Sequence, residues 1–430
     1  MKILQIAPYV TIDSKPDLTG NKTGFGYMVY DIAAGLAKEN DEDMFLLNCK
    51  YKEFVKDGIR FIENNRLKTL LGLMKICSII RLVGVIFKYP MPLVSVAKFI
   101  YQWALMGYLD KIIYIGNYDI VHIHGCSYIN MFIIDICEKY NVKFVVTLHG
   151  LNSFDDSVPL EESGKQFEKD FLQKAYENQW CLIFISTGMK KRVMGFLRTN
   201  KADNIHVVCN SFRFDEVKLR KNDFRVKYDV FIKKAIISGL PDAFEFKGLC
   251  WNYCKLLCCV GNIGKRKNQK QIINAFNWMS DELKHKTYVL FIGKEDDSYH
   301  FEDAVNKSVW NKHFIRCGML KKSSVLDFYK GCDGVVMVSL SEGFGLSLIE
   351  GMFYGKPCLA INNMDAFEDI YSPDAVVGVA EHDDKLIGKG MEELLTKQWN
   401  ESLIKKHAEK FTNQNMTKNY MSVMKLCVDM

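Results

Sequence analysis

The sequence of 430 residues contains no uninterrupted apolar run of about 18–20 residues, the length a helix needs to cross a bilayer. Its most apolar stretch, residues 69–109, is interrupted by Lys75 and Arg81 and broken by Pro90 and Pro92, so no spanning helix is expected there. The segment from Arg66 to Leu109 also lacks any acidic residue, while it carries Arg66, Lys68, Lys75, Arg81, Lys88 and Lys98. There is no internal repeat and no heptad, collagen-like or low-complexity bias. A charged share of 25% and an aromatic share of 13% exclude a disordered chain. No leader-like segment precedes MKILQIAP, which runs directly into a polar loop, so a cytoplasmic location is expected.

The fourteen cysteines form no zinc-binding pattern. Cys250, Cys254, Cys258 and Cys259 have the wrong spacing for paired CxxC knuckles. Cys209, Cys317 and Cys358 stand beside apolar residues, where a thiol behaves as a small hydrophobe. Reduced thiols are the expectation for a cytoplasmic chain. Asp41-Glu42-Asp43 has the D-x-D spacing of a metal-dependent enzyme, but its polar surroundings read as a surface turn. Neither a metal nor an organic cofactor is therefore expected.

A chain this long, 48% hydrophobic, builds its own core and divides most simply into two domains of similar size. Strand-like and helix-like segments alternate along it. MKILQIAP, DIVHIHG (119–125), KFVVTLHG (143–150), CLIFIS and NIHVVCN read as buried strands. The helical segments YMVYDIAAGLAKEN and MFIIDICEKYN fall among them. A second series runs LLCCVGN, TYVLFIG, HFIRCG, GVVMVSL and PCLAIN. Such alternation builds parallel sheets with helices on both faces, so the expected fold is α/β, with two Rossmann-like domains facing a cleft. The expected boundaries are 1–215 and 251–413, with 216–250 a linker or insertion and 414–430 returning to the first domain.

The densest chemistry lies where GVVMVSL runs into SEGFGL and then SLIEGMFYGKP. Gly343 and Gly345 allow close backbone approach around Phe344, and a helix beginning near Leu346 presents N–H groups suited to a diphosphate. Glu350, in the first turns of that helix, suits the vicinal diol of a ribose. Glu342, at the loop mouth, suits the hydroxyls of an attached sugar. A second cluster, GNIGKRKNQ, sets Lys265, Arg266 and Lys267 just before another helix, a placement that favours a bound anion. His122 and His124 alternate with apolar residues, so one is expected to point into the core. His149 ends a strand before Gly150 and is better placed for chemistry. The loop after MKILQIAP closes on Gly24, Phe25 and Gly26.

These motifs, in this order, resemble glycosyltransferase family 4, the retaining nucleotide-sugar transferases of the GT-B fold. The resemblance spans nearly the whole chain and rests chiefly on SEGFGLSLIEGMFYGKPCLA, supported by VGNIGKRKNQKQIINAF, DIVHIHG and VVTLHG. It implies an acceptor-side N-terminal domain and a donor-side C-terminal domain. Glu350 would bind ribose, Gly343 to Leu346 would hold the diphosphate and sugar, and Glu342 would contact the sugar near its reacting carbon. Lys267 would neutralise the leaving diphosphate, His149 would lie near the transferred sugar, and Gly24 to Gly26 would form the acceptor-side loop. Two positions depart from the pattern. Asn262 replaces the usual arginine, leaving Lys265 or Arg266 to supply its charge, and Ser211 replaces a glycine. The implied activity is metal-independent transfer of a hexose or N-acetylhexosamine, from a UDP-sugar first and GDP-mannose second. The acceptor would be a hydroxyl of a glycan or lipid-linked acceptor in surface polysaccharide synthesis.

The basic apolar stretch 66–109 suits an anionic membrane surface, although its lysines and arginines form no single stripe. Nucleic acid is not expected as a partner. No lysine motif for pyridoxal phosphate is visible, which disfavours a phosphorylase. A non-catalytic sugar-nucleotide-binding partner of another glycosyltransferase, the alternative reading, would be expected to have lost Glu342 or Lys267, and both are present.

Overall fold

The computed structural model describes residues 1–12, 14, 15, 18, 24–64, 76–154, 161–212 and 254–429. The proposed linker 216–250, and Arg66, Lys68 and Lys75 of the basic stretch, lie outside the described residues. The chain divides into two compact units, Met1–Ser211 with Asn413–Met430, and Phe212–Thr412.

The first unit carries an eight-stranded sheet: β1 (Lys2–Ala7), β2 (Asp41–Leu46), β3 (Phe54–Lys56), β4 (Ile59–Phe61), β5 (Ile120–His124), β6 (Lys143–Leu148), β7 (Cys181–Phe184) and β8 (Ile205–Val207). Their order across the sheet is β3-β4-β2-β1-β5-β6-β7-β8, parallel throughout except for the β3–β4 pair. The second unit carries β9 (Lys255–Val260), β10 (Thr287–Ile292), β11 (Phe314–Gly318), β12 (Gly334–Met337), β13 (Cys358–Ile361) and β14 (Val376–Val379). These six run β11-β10-β9-β12-β13-β14, all parallel. From β4 to β7 the first sheet repeats that order, so each sheet has one point, beside its first strand, where the strand order reverses.

Parallel strands are covered on both faces, so they read as continuous apolar runs. All six residues of β10 are buried, as are all five of β5. One core in the second unit joins Leu257, Val289 and Val336 from the strands to Ile272, Phe276 and Met391 from the helices. In the first unit, the final helix Asn413–Asp429 lays Met416, Tyr420 and Met424 against Ile3, Ile120 and Val145. Cys181 of β7 and Cys427 of that helix are joined as a disulfide. The expectation of reduced thiols is corrected at this pair, because only the fold brings the last helix beside β7.

Two local expectations also change. Asp41-Glu42-Asp43 is no surface turn: it opens β2, pairing in register with Lys2 to Leu4 of β1. Glu42 and Asp43 are buried because each has partners. Arg60 holds Asp43 through two N–H donors at 2.8 and 2.6 Å, and the Tyr118 hydroxyl donates to the same carboxylate at 2.6 Å. Gly24 to Gly26 form no loop either, since they are the first turn of the helix Gly24–Leu36. The turn packs so tightly that a Cβ on Gly26 would lie 2.3 Å from Thr11 Oγ1. Among the described residues, no helix is long and apolar enough to cross a membrane.

Candidate active site

In an open parallel sheet, ligands bind beyond the carboxyl ends of the strands where the strand order reverses. In the second sheet that point lies between β9 and β12, and the two charged motifs leave those two strands. Lys265–Lys267 form a short 3-10 turn after β9, and Ser341 to Gly345 follow β12. The fold thereby brings together residues 75 and 76 positions apart. The Lys267 ammonium donates to Glu342 Oε2. Arg266 Nη1 donates to the Ser341 carbonyl at 2.9 Å and reaches the same Glu342 oxygen at 3.4 Å. A main-chain bond from Leu340 N–H to the Arg266 carbonyl, 2.8 Å, fixes the two loops edge to edge. Burial pushes the Glu342 carboxyl up, but Lys267 and Arg266 outweigh it and hold the group below its ordinary range. Glu342 is therefore a carboxylate flanked by two cations, leaving net positive charge at the loop mouth.

Asn262 and Lys265 are exposed, and the carbonyl of Asn262 accepts from Gln269 Nε2 at 3.1 Å. Arg266, not Lys265, is the neighbour whose charge reaches Glu342. Further along, Gly345 has φ +85°, a left-handed conformation that side chains disfavour, and the helix Leu346–Phe353 starts immediately after it. Phe344 is buried with its ring 5.7 Å from Phe411, which anchors the turn between Gly343 and Gly345. Glu350 lies one turn into the helix, buried, and its Oε1 accepts from the Lys322 ammonium. Lys322 opens the helix Lys322–Gly331 and escaped the sequence reading. Nothing in KKSSVLDFYK marks one lysine as the partner of a glutamate 28 residues away.

The corresponding reversal in the first sheet lies between β1 and β5. His149 follows β6, and the Phe25 ring, between Gly24 and Gly26, meets it edge-on with centroids 4.9 Å apart. Tyr9 packs on Phe25 at 5.2 Å. His122 and His124, two apart on one strand, point to the same face rather than to opposite ones, and both are buried with ring centroids 4.0 Å apart. His122 Nε2 bonds Thr147 Oγ1 at 2.7 Å. His124 reaches His149 at 3.1 Å and Gln5 at 2.8 Å. Burial lowers the His122 and His149 imidazoles to about 3, so both rings are neutral near neutral pH. Gln5 and His124 join this hydrogen-bonded cluster, although periodicity alone assigns them to the core.

Comparison with known proteins bears on both units. The family described as Glycosyltransferase Family 4 matches residues 24–215, and that described as Glycosyl transferases group 1 matches residues 253–416. EpsD of Bacillus subtilis (strain 168), named as a glycosyltransferase, is 24% identical over 271 residues, which are 60% of this chain. The matched part spans 63% of that relative's length. Among solved structures, sucrose-phosphate synthase from Thermosynechococcus elongatus superposes with a TM-score of 0.67 at 13% identity, covering 100% of this chain and 96% of its own. Anabaena HepE in complex with UDP and glucose gives 0.66 at 12% identity, covering 99% and 100%. The lipopolysaccharide outer core galactosyltransferase WaaB gives 0.62 at 15% identity, covering 99% of each chain. At these identities the structural likeness establishes the fold alone, two parallel-sheet α/β domains of the GT-B type. The family matches, one on each unit, make this chain a member of glycosyltransferase family 4.

Proposed function

We propose that the protein transfers a sugar from a UDP-sugar to the hydroxyl of a glycan or lipid-linked acceptor, with retention at the anomeric carbon and without a metal ion. The observation that carries this reading is the Arg266–Glu342–Lys267 cluster at the strand-order reversal of the second sheet. In this reading the C1–O bond to the diphosphate breaks as the acceptor oxygen bonds to C1, and the hydroxyl proton is released with the nucleotide. Negative charge grows on the leaving oxygen, and a preorganised cation beside it lowers the barrier. Lys267 takes that role, with Arg266 supplying the second charge that Asn262 does not. Glu342 holds both cations in place and accepts from sugar hydroxyls, and Glu350 accepts from the ribose diol. The backbone from Gly343 to Leu346 wraps the diphosphate. UDP is favoured because a structure of the same fold carries UDP and glucose. A hexose or N-acetylhexosamine is the sugar proposed, and surface polysaccharide synthesis the setting.

Calorimetry with UDP, GDP and ADP tests the reading. UDP is expected to bind selectively, and Glu350→Ala to weaken it about tenfold, as expected for one lost hydrogen-bonded charge. If none of the three nucleotides bound, the donor site would be wrong.

A lipid-linked acceptor would bring the protein to a cytoplasmic membrane surface, and one feature of the first unit supports that. The helices Ile76–Lys88 and Leu93–Ala104 meet at a turn where Phe87, Leu93 and Val94 are 81%, 86% and 82% exposed. Exposed apolar side chains on an acid-free basic segment fit an anionic lipid surface. Arg81 and Lys88 are already paired, with Asp135 and Asp170 respectively, so the apolar tip would carry more of the binding than these two cations. Leu93→Glu with Val94→Glu is expected to reduce sedimentation with phosphatidylglycerol vesicles while UDP affinity stays unchanged. Unaltered sedimentation would remove the membrane from the proposal.

A further inference from the structure

A polar side chain in a strand covered on both faces is costly unless its hydrogen bonds are met. Gln5, Glu42 and His124 occupy such positions, at 0%, 3% and 3% exposure. Together with His149 they form a single chain whose direction follows from elementary donor and acceptor chemistry. Gln5 Nε2 donates to Glu42 Oε2 at 3.1 Å. An amide nitrogen only donates and an amide oxygen only accepts, so Gln5 Oε1 must accept from His124 Nε2–H across 2.8 Å. A neutral imidazole carries one N–H, which leaves His124 Nδ1 bare. That atom accepts from His149 Nε2–H across 3.1 Å. The remaining nitrogen, His149 Nδ1, is then also bare, and it is buried without a partner among the described residues. The direction holds while Glu42 accepts from Gln5. Burial raises the Glu42 carboxyl, and a protonated Glu42 donating to a turned Gln5 amide would reverse every bond. The proton would then sit on His149 Nδ1, which is the outcome that nitrogen spectra distinguish.

We infer that Glu42, Gln5 and His124 are positioning residues that lock His149 in its Nε2–H tautomer, so that its bare Nδ1 serves as a dedicated acceptor for a hydroxyl of the transferred sugar. The identity of that hydroxyl rests on the transferase reading, whereas the tautomer does not. A ring fixed in this way selects a group that can donate over one that can only accept, which is a means of reading a sugar hydroxyl. Burial supports the arrangement by keeping the His149 ring neutral.

The test is long-range proton–nitrogen correlation on the full chain labelled with ¹⁵N-histidine. Wild type is expected to show His149 protonated at Nε2 and bare at Nδ1. A proton on Nδ1 would overturn the inference without any variant. Gln5→Met, close in shape but unable to pass the hydrogen bond on, is expected to give His149 a mixture of tautomers. It should lower kcat for UDP-glucose hydrolysis about 5–10-fold, as expected for one neutral hydrogen bond, while UDP affinity is unchanged. If kcat fell with the tautomer unmoved, Gln5 would be merely structural and the inference would fail. Absence of UDP binding in wild type would instead sink the transferase reading, and the spectra keep the two failures apart.

Discussion

The two reversal points share one strand order but differ in the currency of their side chains. Beyond β9 and β12 the fold gathers full charges: Arg266 and Lys267 on Glu342, and Lys322 on Glu350. Beside β1 and β5 it gathers neutral groups: Gln5, His124 and His149 are joined by hydrogen bonds, and next to them His122 bonds Thr147. The backbone therefore supplies an address in both units, and the side chains decide what it suits. A diphosphate carries charge that only cations and N–H dipoles can match. A sugar hydroxyl is neutral, and a buried ion facing it would cost more than a neutral acceptor. The difference teaches that one fold element, used twice in a chain, can be lined with full charges in one place and with neutral hydrogen-bonding groups in the other.

The largest expected effect comes from breaking the charged side. Lys267→Met should lower kcat/KM by about 10²–10³-fold, the usual consequence of losing one donor aimed at developing negative charge. It should also weaken UDP, because net positive charge leaves the loop mouth. His149→Phe should lower turnover while leaving UDP affinity intact, since its partners all lie in the first unit. Steady-state kinetics with parallel calorimetry separates the two outcomes. Loss of UDP binding in His149→Phe would show that the neutral cluster also holds the nucleotide.

Acid offers a second, smaller contrast. His122 is fully buried, with its imidazole lowered to about 3 by burial and by the neighbouring His149. The unfolded chain takes up a proton near the ordinary histidine value of about 6.5, and the folded unit does not. The His122 contribution is therefore complete above about pH 6.5 and is lost as pH drops toward about 3, costing about 2 kcal/mol by about pH 5. Glu342 behaves differently, because its lowered carboxyl contributes stability that is lost only as pH falls below the ordinary carboxylate range. His313, His382 and His407 of the second unit are lowered as well, so both units weaken in acid. Hydrogen exchange at about pH 7.5 and about pH 5 is expected to show the larger loss of protection around β5 and β6. An equal loss around β9 and β12 would erase the contrast.

Much of the charged site was legible because it is built from local signals: an apolar strand, glycines, a carboxylate and a helix start, all within SEGFGLSLIE. The strands IVHIH and KFVVTL were legible for the same reason, since a run covered on both faces has one appearance. The neutral site was not. Gln5 meets Glu42 across two strands and His124 across another pair, separations of 37 and 119 residues that no periodicity reports. The acidic opening of β2 hid that strand, because its charges look solvated until Arg60, Tyr118 and Gln5 are placed around them. β14, only four residues long and broken by Gly378, was too short to read.

The smallest effects test whether the two sites also depend on glycine for different reasons. Gly345 has φ +85°, so Gly345→Ala strains the backbone by about 1–2 kcal/mol whatever room surrounds it. Gly26 lies within a helix and has no such strain, but a Cβ there would meet Thr11 Oγ1 at 2.3 Å. Gly26→Ala should therefore cost about 1–3 kcal/mol through overpacking. A second substitution separates the causes. Thr11→Ala removes the clashing oxygen and should recover part of the Gly26→Ala loss, although the Thr11 backbone nitrogen, 3.0 Å from the same Cβ, limits the recovery. Met364→Ala clears the methyl group that a Cβ on Gly345 would approach at 2.8 Å, yet it should recover little, because the strain lies in φ and not in the neighbour. Thermal unfolding of the two double-mutant cycles measures both coupling energies. Strong rescue of Gly345→Ala by Met364→Ala would mean that both glycines answer to packing alone.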